Sequence, residues 1–160
     1  MERYTLSIIV RNHPGVLSRV SGLFSRRGYN IESLSVGVAE DTDCSRMTIV
    51  VLGDKDTVQQ IINQLSKLID VEKIRLLDRD HSVSRGLMLI KVRADRKNRS
   101  EILQYADIFR ANVIDVQEDS LIVEVTGDQG KQDAMLAALE PFGILEIAKT
   151  GICSLSRGNH

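Results

Sequence analysis

The order of strand-like and helix-like segments constrains this chain more than any other feature, because one order occurs twice. Leu6, Ile8 and Val10 alternate with Thr5 and Ser7, a strand pattern. From Gly15 the period changes, and Val16, Leu17, Val20, Leu23 and Phe24 follow helical spacing up to Gly28, a helix-ending glycine. Leu34, Val36 and Val38 alternate again, the polar stretch Glu40 to Asp43 turns the chain, and SRMTIVVL (45–52) is a β-branched strand. Asp54 then caps a helix with the stripe Val58, Ile61, Ile62, Leu65 and Leu68, and VEKIRLL (71–77) returns as a strand.

The polar segment 78–86 reads as a linker. After it come the strand LMLIKV, a helix with Ile102, Ala106 and Phe109 on one face, the strands NVIDV and SLIVEV, the helix KQDAMLAALE and the strand GILEIAKT. Each half is therefore βαββαβ, an antiparallel four-stranded sheet with two helices on one face. The expectation is an α+β chain of two ferredoxin-like sandwiches in tandem, residues 1–77 and 87–160. Units this small bury little core alone and leave a sheet face and strand edges open, which predicts a homodimer.

The totals exclude several classes of function. Twenty-one Lys and Arg against 22 Asp and Glu leave a net charge of −1, without the basic excess of a general nucleic-acid binder. No apolar run approaches the roughly 18 residues of a membrane span. The start, MERYTLSIIV, alternates rather than showing the basic and apolar blocks of a signal peptide, so the expected location is the cytoplasm. Cys44 and Cys153 lie far apart, with no CxxC or Cys/His spacing, so neither a metal site nor a disulfide is expected.

One short stretch carries more special residues than a turn requires. RNHPGVLSRV (11–20) sets Asn, His, Pro and Gly between the first strand and the first helix. Such residues make good turns with or without a ligand. They also suit an anion cradle. The first amides of a helix lack helical acceptors and carry the positive end of its dipole. Gly15 permits close approach, Asn12 offers a donor and acceptors for an ammonium and a carboxylate, and Val16 and Leu17 supply an apolar wall. The residues alone leave both readings open.

Taken together, NHPGVLSRVSGLFSRRGYNIESLSV, SRMTIVV, QLSKLIDVEKI and the closing AKTGICSLSRG resemble the regulatory (small) subunit of acetolactate synthase, also called acetohydroxyacid synthase, whose first half is an ACT domain. The resemblance spans essentially the whole chain, and GLFSRRGYNIESL (22–34) is its longest and most specific block. It implies a non-catalytic subunit that binds the catalytic (large) subunit, raises its activity and confers feedback inhibition by valine or another branched-chain amino acid. It also implies an effector held between two ACT domains of a homodimer, by Asn12, Gly15, Val16 and Leu17 of one chain and Asn30 and Ile31 of its neighbour. No catalytic residue, metal or cofactor is implied in this chain; thiamine diphosphate, Mg²⁺ and FAD belong to the catalytic subunit. Alternatives are a stand-alone amino-acid sensor regulating transcription or another enzyme, and a small phosphatase using Arg11. The first lacks a helix-turn-helix, and the second leaves the long specific block unexplained.

Overall fold

The computed structural model describes residues 2–158; Met1, Asn159 and His160, the last two within the sequence-defined second unit, lie outside the described residues. The chain separates into two compact units, residues 1–83 with 151–160, and residues 84–150.

In the first unit, β1 (Glu2–Arg11), α1 (Val16–Arg27), β2 (Asn30–Val38), β3 (Cys44–Gly53), α2 (Lys55–Ser66) and β4 (Val71–Leu77) follow the expected βαββαβ order. The sheet order is β2-β3-β1-β4, with every neighbouring pair antiparallel. Alternation decides which face is covered. Leu6, Ile8 and Val10 of β1 and Met47, Ile49 and Val51 of β3 point to the side where Val16, Val20, Leu23 and Phe24 of α1 meet Val58, Ile61 and Leu65 of α2. The side chains between them, Ser7 and Thr48 among others, point to the opposite face. Both ends of α1 rest on glycine: Gly28 closes it at φ 67° with amide bonds back to its last turn, as the sequence indicates. Asp54 caps α2 by accepting the Thr57 amide at 2.7 Å, which holds its carboxyl below the usual carboxylate range.

The second unit repeats the plan with β5 (Ser82–Arg93), α3 (Arg99–Ile108), β6 (Asn112–Val116), β7 (Ser120–Gly127), α4 (Gln129–Leu139) and β8 (Ile144–Lys149), in the order β6-β7-β5-β8. Its core gathers Met88, Ile90 and Val92 of β5 with Leu121, Val123 and Val125 of β7, Ile102 and Ala106 of α3, and Met135 and Leu139 of α4. Both units are thus ferredoxin-like sandwiches.

Two features differ from the reading of the sequence. Residues 78–86 are not a slack connection: Arg79–His81 form a 3-10 turn, and β5 begins at Ser82. Asp78 organises the turn by accepting from the Asp80 amide at 3.0 Å and the His81 ring at 2.9 Å. The closing segment, assigned by sequence to the second sandwich, clusters with the first and contains a ninth strand, β9 (Cys153–Ser156). Gly151 explains why it can lie there. A Cβ on Gly151 would sit 2.4 Å from the Leu34 carbonyl oxygen, so only glycine lets this backbone approach β2 so closely. Ile152 and Ser154 are buried, and Ser156 accepts a 3.2 Å bond from the Arg75 guanidinium.

Candidate functional site

The loop from Asn12 to Gly15 is fixed at its root by backbone bonds. As β1 runs out, the Arg11 amide donates to the Asp70 carbonyl and the Asn12 amide to the Asp43 carbonyl, each at 2.8 Å. Asn12 to Gly15 then stand exposed, and α1 starts at Val16. Gly15 is the residue before the helix, at φ 84° and ψ −3°. This left-handed conformation favours glycine, so Gly15 is required by the backbone as well as permissive for a ligand.

The beginning of α1 is electrostatically incomplete. No side chain caps it and no acidic residue stands in its first turn. The Val16 amide turns back to the His13 carbonyl at 3.4 Å, and the amides after it in the first turn present donors and a positive dipole end to the loop. A basic group reinforces them. Arg19 gives Nε to Asp70 Oδ2 at 2.8 Å, and its Nη2 lies 2.5 Å from the same oxygen. Its Nη1 lies 3.2 Å from where a Cβ on Gly15 would be, so one guanidinium nitrogen stands at the mouth of the loop. Asp70 is buried, and through its carbonyl and carboxylate it ties the end of β1 to the first turns of α1. Neither Arg19 nor Asp70 was singled out from sequence. Fifty-one residues separate them, and a lone Arg on an exposed helix face gives no local signal of a distant partner.

The sequence-derived residues fall into two groups. Asn12, Gly15, Val16 and Leu17 come together at the loop. The Asn12 carboxamide has no hydrogen-bond partner among the described residues, and Leu17 is 47% exposed. Val16 differs from expectation: its side chain is buried in the first core, so its backbone, not its side chain, borders the loop. Asn30 and Ile31 lie elsewhere in the same chain. Asn30 pairs with Leu52, which pairs with Arg3, whereas the loop follows Arg11. Eight residues of strand, roughly 27 Å, separate the two levels. One chain cannot bring both groups to one small ligand.

The chain's sequence matches two family models, an acetohydroxyacid synthase small-subunit-like ACT domain over residues 6–73 and the small subunit of acetolactate synthase over residues 85–158. The chain belongs to the acetolactate synthase small-subunit family. Relatives support this across the full length. An acetolactate synthase small subunit of Mycobacterium bovis is 58% identical over 155 residues, covering 97% of this chain and 92% of the relative. A probable small subunit of Archaeoglobus fulgidus is 50% identical over 157 residues, covering 98% of each. The crystal structure of an acetolactate synthase small subunit from Thermotoga maritima superposes with a TM-score of 0.90 at 40% identity, with both chains fully covered. In this small-subunit chain no group of His, Cys, Asp and Glu among the described residues could hold a metal ion, and no described helix is long and apolar enough to cross a membrane.

Proposed function

We propose that this small-subunit chain partners the catalytic subunit of acetolactate synthase, raises its activity and makes it sensitive to feedback inhibition by valine or a related branched-chain amino acid. The observation that carries the effector assignment is the uncapped start of α1 at Gly15, with Arg19 beside it and no acid in the first turn. Asp70 takes the Nε and Nη2 of Arg19, and an amino-acid carboxylate fits the Nη1 at Gly15 together with the uncapped start of the helix. Asn12 is placed to bind the ammonium group through its carbonyl oxygen, and Leu17 to meet an aliphatic side chain. Catalysis, with thiamine diphosphate, Mg²⁺ and FAD, belongs to the partner subunit in this reading.

The separation of Asn30 from the loop favours a site shared by two copies. β2 is an edge strand, and its Val36 and Val38 are exposed hydrophobics, 45% and 65% accessible. Unpaired edges of this kind recruit another strand. Antiparallel pairing of two β2 strands about a twofold axis at Leu34 sets Asn30 of one copy level with Val38 of the other. Val38 pairs with Ser45, which pairs with Val10, two residues before Asn12. Asn30 and Ile31 of one copy thereby come level with the loop of the second, three strand spacings or about 14 Å across the paired sheet instead of roughly 27 Å along one strand.

The test is reconstitution. The chain is mixed with its catalytic subunit, and acetolactate formation is followed with and without valine. Activation of the partner and valine-dependent loss of activity are expected; formation of acetolactate by the isolated chain would overturn the assignment.

A further inference from the structure

The sheet face of the first unit opposite its helices carries a second electrostatic feature that the effector site does not use. Strand register places two adjacent rows on that face. In one row Ile9 of β1 lies between Arg46 of β3 and Lys73 of β4. In the next, Ser7 lies between Thr48 and Arg75. Arg46 and Lys73 are two strand spacings apart, about 10 Å, and Lys73 and Arg75 are alternate residues of one strand. These three cations, with Ser7, Ile9 and Glu40, line a cleft of about 110 Å³.

Their charges are poorly compensated. Arg46 donates to the neutral Ser7 hydroxyl at 2.7 Å, and its other nitrogen stands 3.5 Å from Glu40, an exposed carboxylate. Arg75 donates to the neutral Ser156 hydroxyl. Lys73 has no hydrogen-bond or ion-pair partner among the described residues. Three positive groups against one exposed carboxylate leave an excess of two charges on this face of the sheet. The buried Ser7 fixes the direction of Arg46, so this charge is held in place.

We infer that this cleft is a binding site for a small oxyanion carrying two negative charges, of the chemistry of inorganic phosphate or sulfate. The volume decides against larger ligands. Pockets for drug-sized molecules and cofactors run to roughly 300–1,000 Å³, several times this cleft, so a nucleotide base and sugar have no room inside it. The forked guanidinium of Arg46 and the mobile ammonium of Lys73 suit the oxygens of a tetrahedral dianion better than a single carboxylate.

The test uses the full chain and sodium phosphate, with amide chemical shifts followed by NMR at constant ionic strength. Parallel titrations use sodium sulfate, sodium acetate and sodium chloride. A saturable response at Ser7, Ile9, Lys73 and Arg75 is expected with phosphate and sulfate, and at most a weak one with acetate and chloride. Lys73→Gln removes an exposed charge with no partner, so the fold is retained, and it should weaken phosphate binding about fivefold. Arg46→Gln should weaken it about tenfold or more. Lys67→Gln, on the helix side of the unit, should leave it unchanged. A linear response, an equal response to chloride, or equal affinity in the Lys73→Gln and wild-type chains would overturn the inference.

Discussion

The two sandwiches leave their first strands in the same way and then diverge. In the first unit the Arg11 and Asn12 amides are held by the Asp70 and Asp43 carbonyls; in the second the Arg93 and Ala94 amides are held by the Gly143 and Asp119 carbonyls. Beyond that point the second loop satisfies itself. Asp95 accepts the Lys97 amide at 2.8 Å and the Asn98 amide at 3.0 Å, and the Asn98 side chain accepts the Asp95 amide at 2.8 Å. Arg99 is turned onto the Gln117 and Glu118 carbonyls. The second loop thus carries its own carboxylate among its own amides. The first has no such acid and places Arg19 at Gly15 instead. One fold therefore hosts a loop that opens onto an uncapped helix start and a loop that carries its own carboxylate, and the difference rests on a few residues just beyond the strand. Fold alone does not assign the function.

Supplying the first loop with a carboxylate should close it. Gly15→Asp should abolish inhibition by valine in the reconstituted enzyme and leave activation of the partner largely intact. The new carboxylate would lie beside Arg19 and compete with the effector for it. Aspartate tolerates the left-handed conformation at Gly15 better than most residues do, and circular dichroism would confirm folding. A folded variant with unchanged valine sensitivity would remove the loop from the effector site.

A smaller effect is expected at Asn30, which the proposed dimer brings to the level of the partner's loop. Asn30→Ala should remove a hydrogen bond to a charged ligand group, about 1.5–3 kcal/mol, or roughly a ten- to hundredfold weaker response to valine. Mixing Asn30→Ala and Gly15→Asp chains should then restore sites of wild-type composition in part of the population. A fraction of the mixture that responds to valine at wild-type concentrations, seen in neither variant alone, is the expected sign of a shared site, and its absence would point to a site within one chain.

Opening the closed loop should affect stability and not regulation. Asp95→Ala leaves two amides without their acceptor, costing about 1 kcal/mol by analogy with other lost caps. Denaturant unfolding should register that loss while the valine titration stays unchanged; altered valine sensitivity would mean that the second loop takes part in effector binding.

The second helices of the two units make a control, because both begin alike: Asp54 accepts the Thr57 amide and Asp128 the Lys131 amide. The Asp54 pKa is lowered in the folded chain, first by that amide bond. Its contribution to stability is therefore present above the unfolded carboxyl pKa, about 3.9, and is lost as pH falls through the lower folded value. Asp54→Asn keeps a capping side chain without the titration, so its stability should fall less on acidification over that window. An unchanged acid profile would contradict the charged cap.

The element order was legible in the sequence because alternation at Leu6, Ile8 and Val10 and the helical stripe at Val58, Ile61 and Leu65 report local burial. The start of β5 was not, since Ser82 to Gly86 is polar and its strand conformation comes from pairing. The placement of the closing segment was also hidden. Gly151 reads as a turn residue, and its need to pass the Leu34 backbone is set by a contact 117 positions away in sequence. At the candidate site, Asn12, Gly15 and Leu17 stood out by residue type, and Asn30 entered through family resemblance. The Asp70–Arg19 bond that sets the cradle's cation is a long-range pairing without a sequence pattern.

The most direct measurement is an amide-resolved NMR titration of the full chain with valine. Saturable shifts are predicted at Gly15, Leu17, Ser18, Asn30 and the Asn12 carboxamide, with Asp95, Lys97, Asn98 and Arg99 silent. Saturable shifts at 95–99 with none at 12–18 would contradict the account, because the ligand would then have chosen the loop that already holds its own carboxylate.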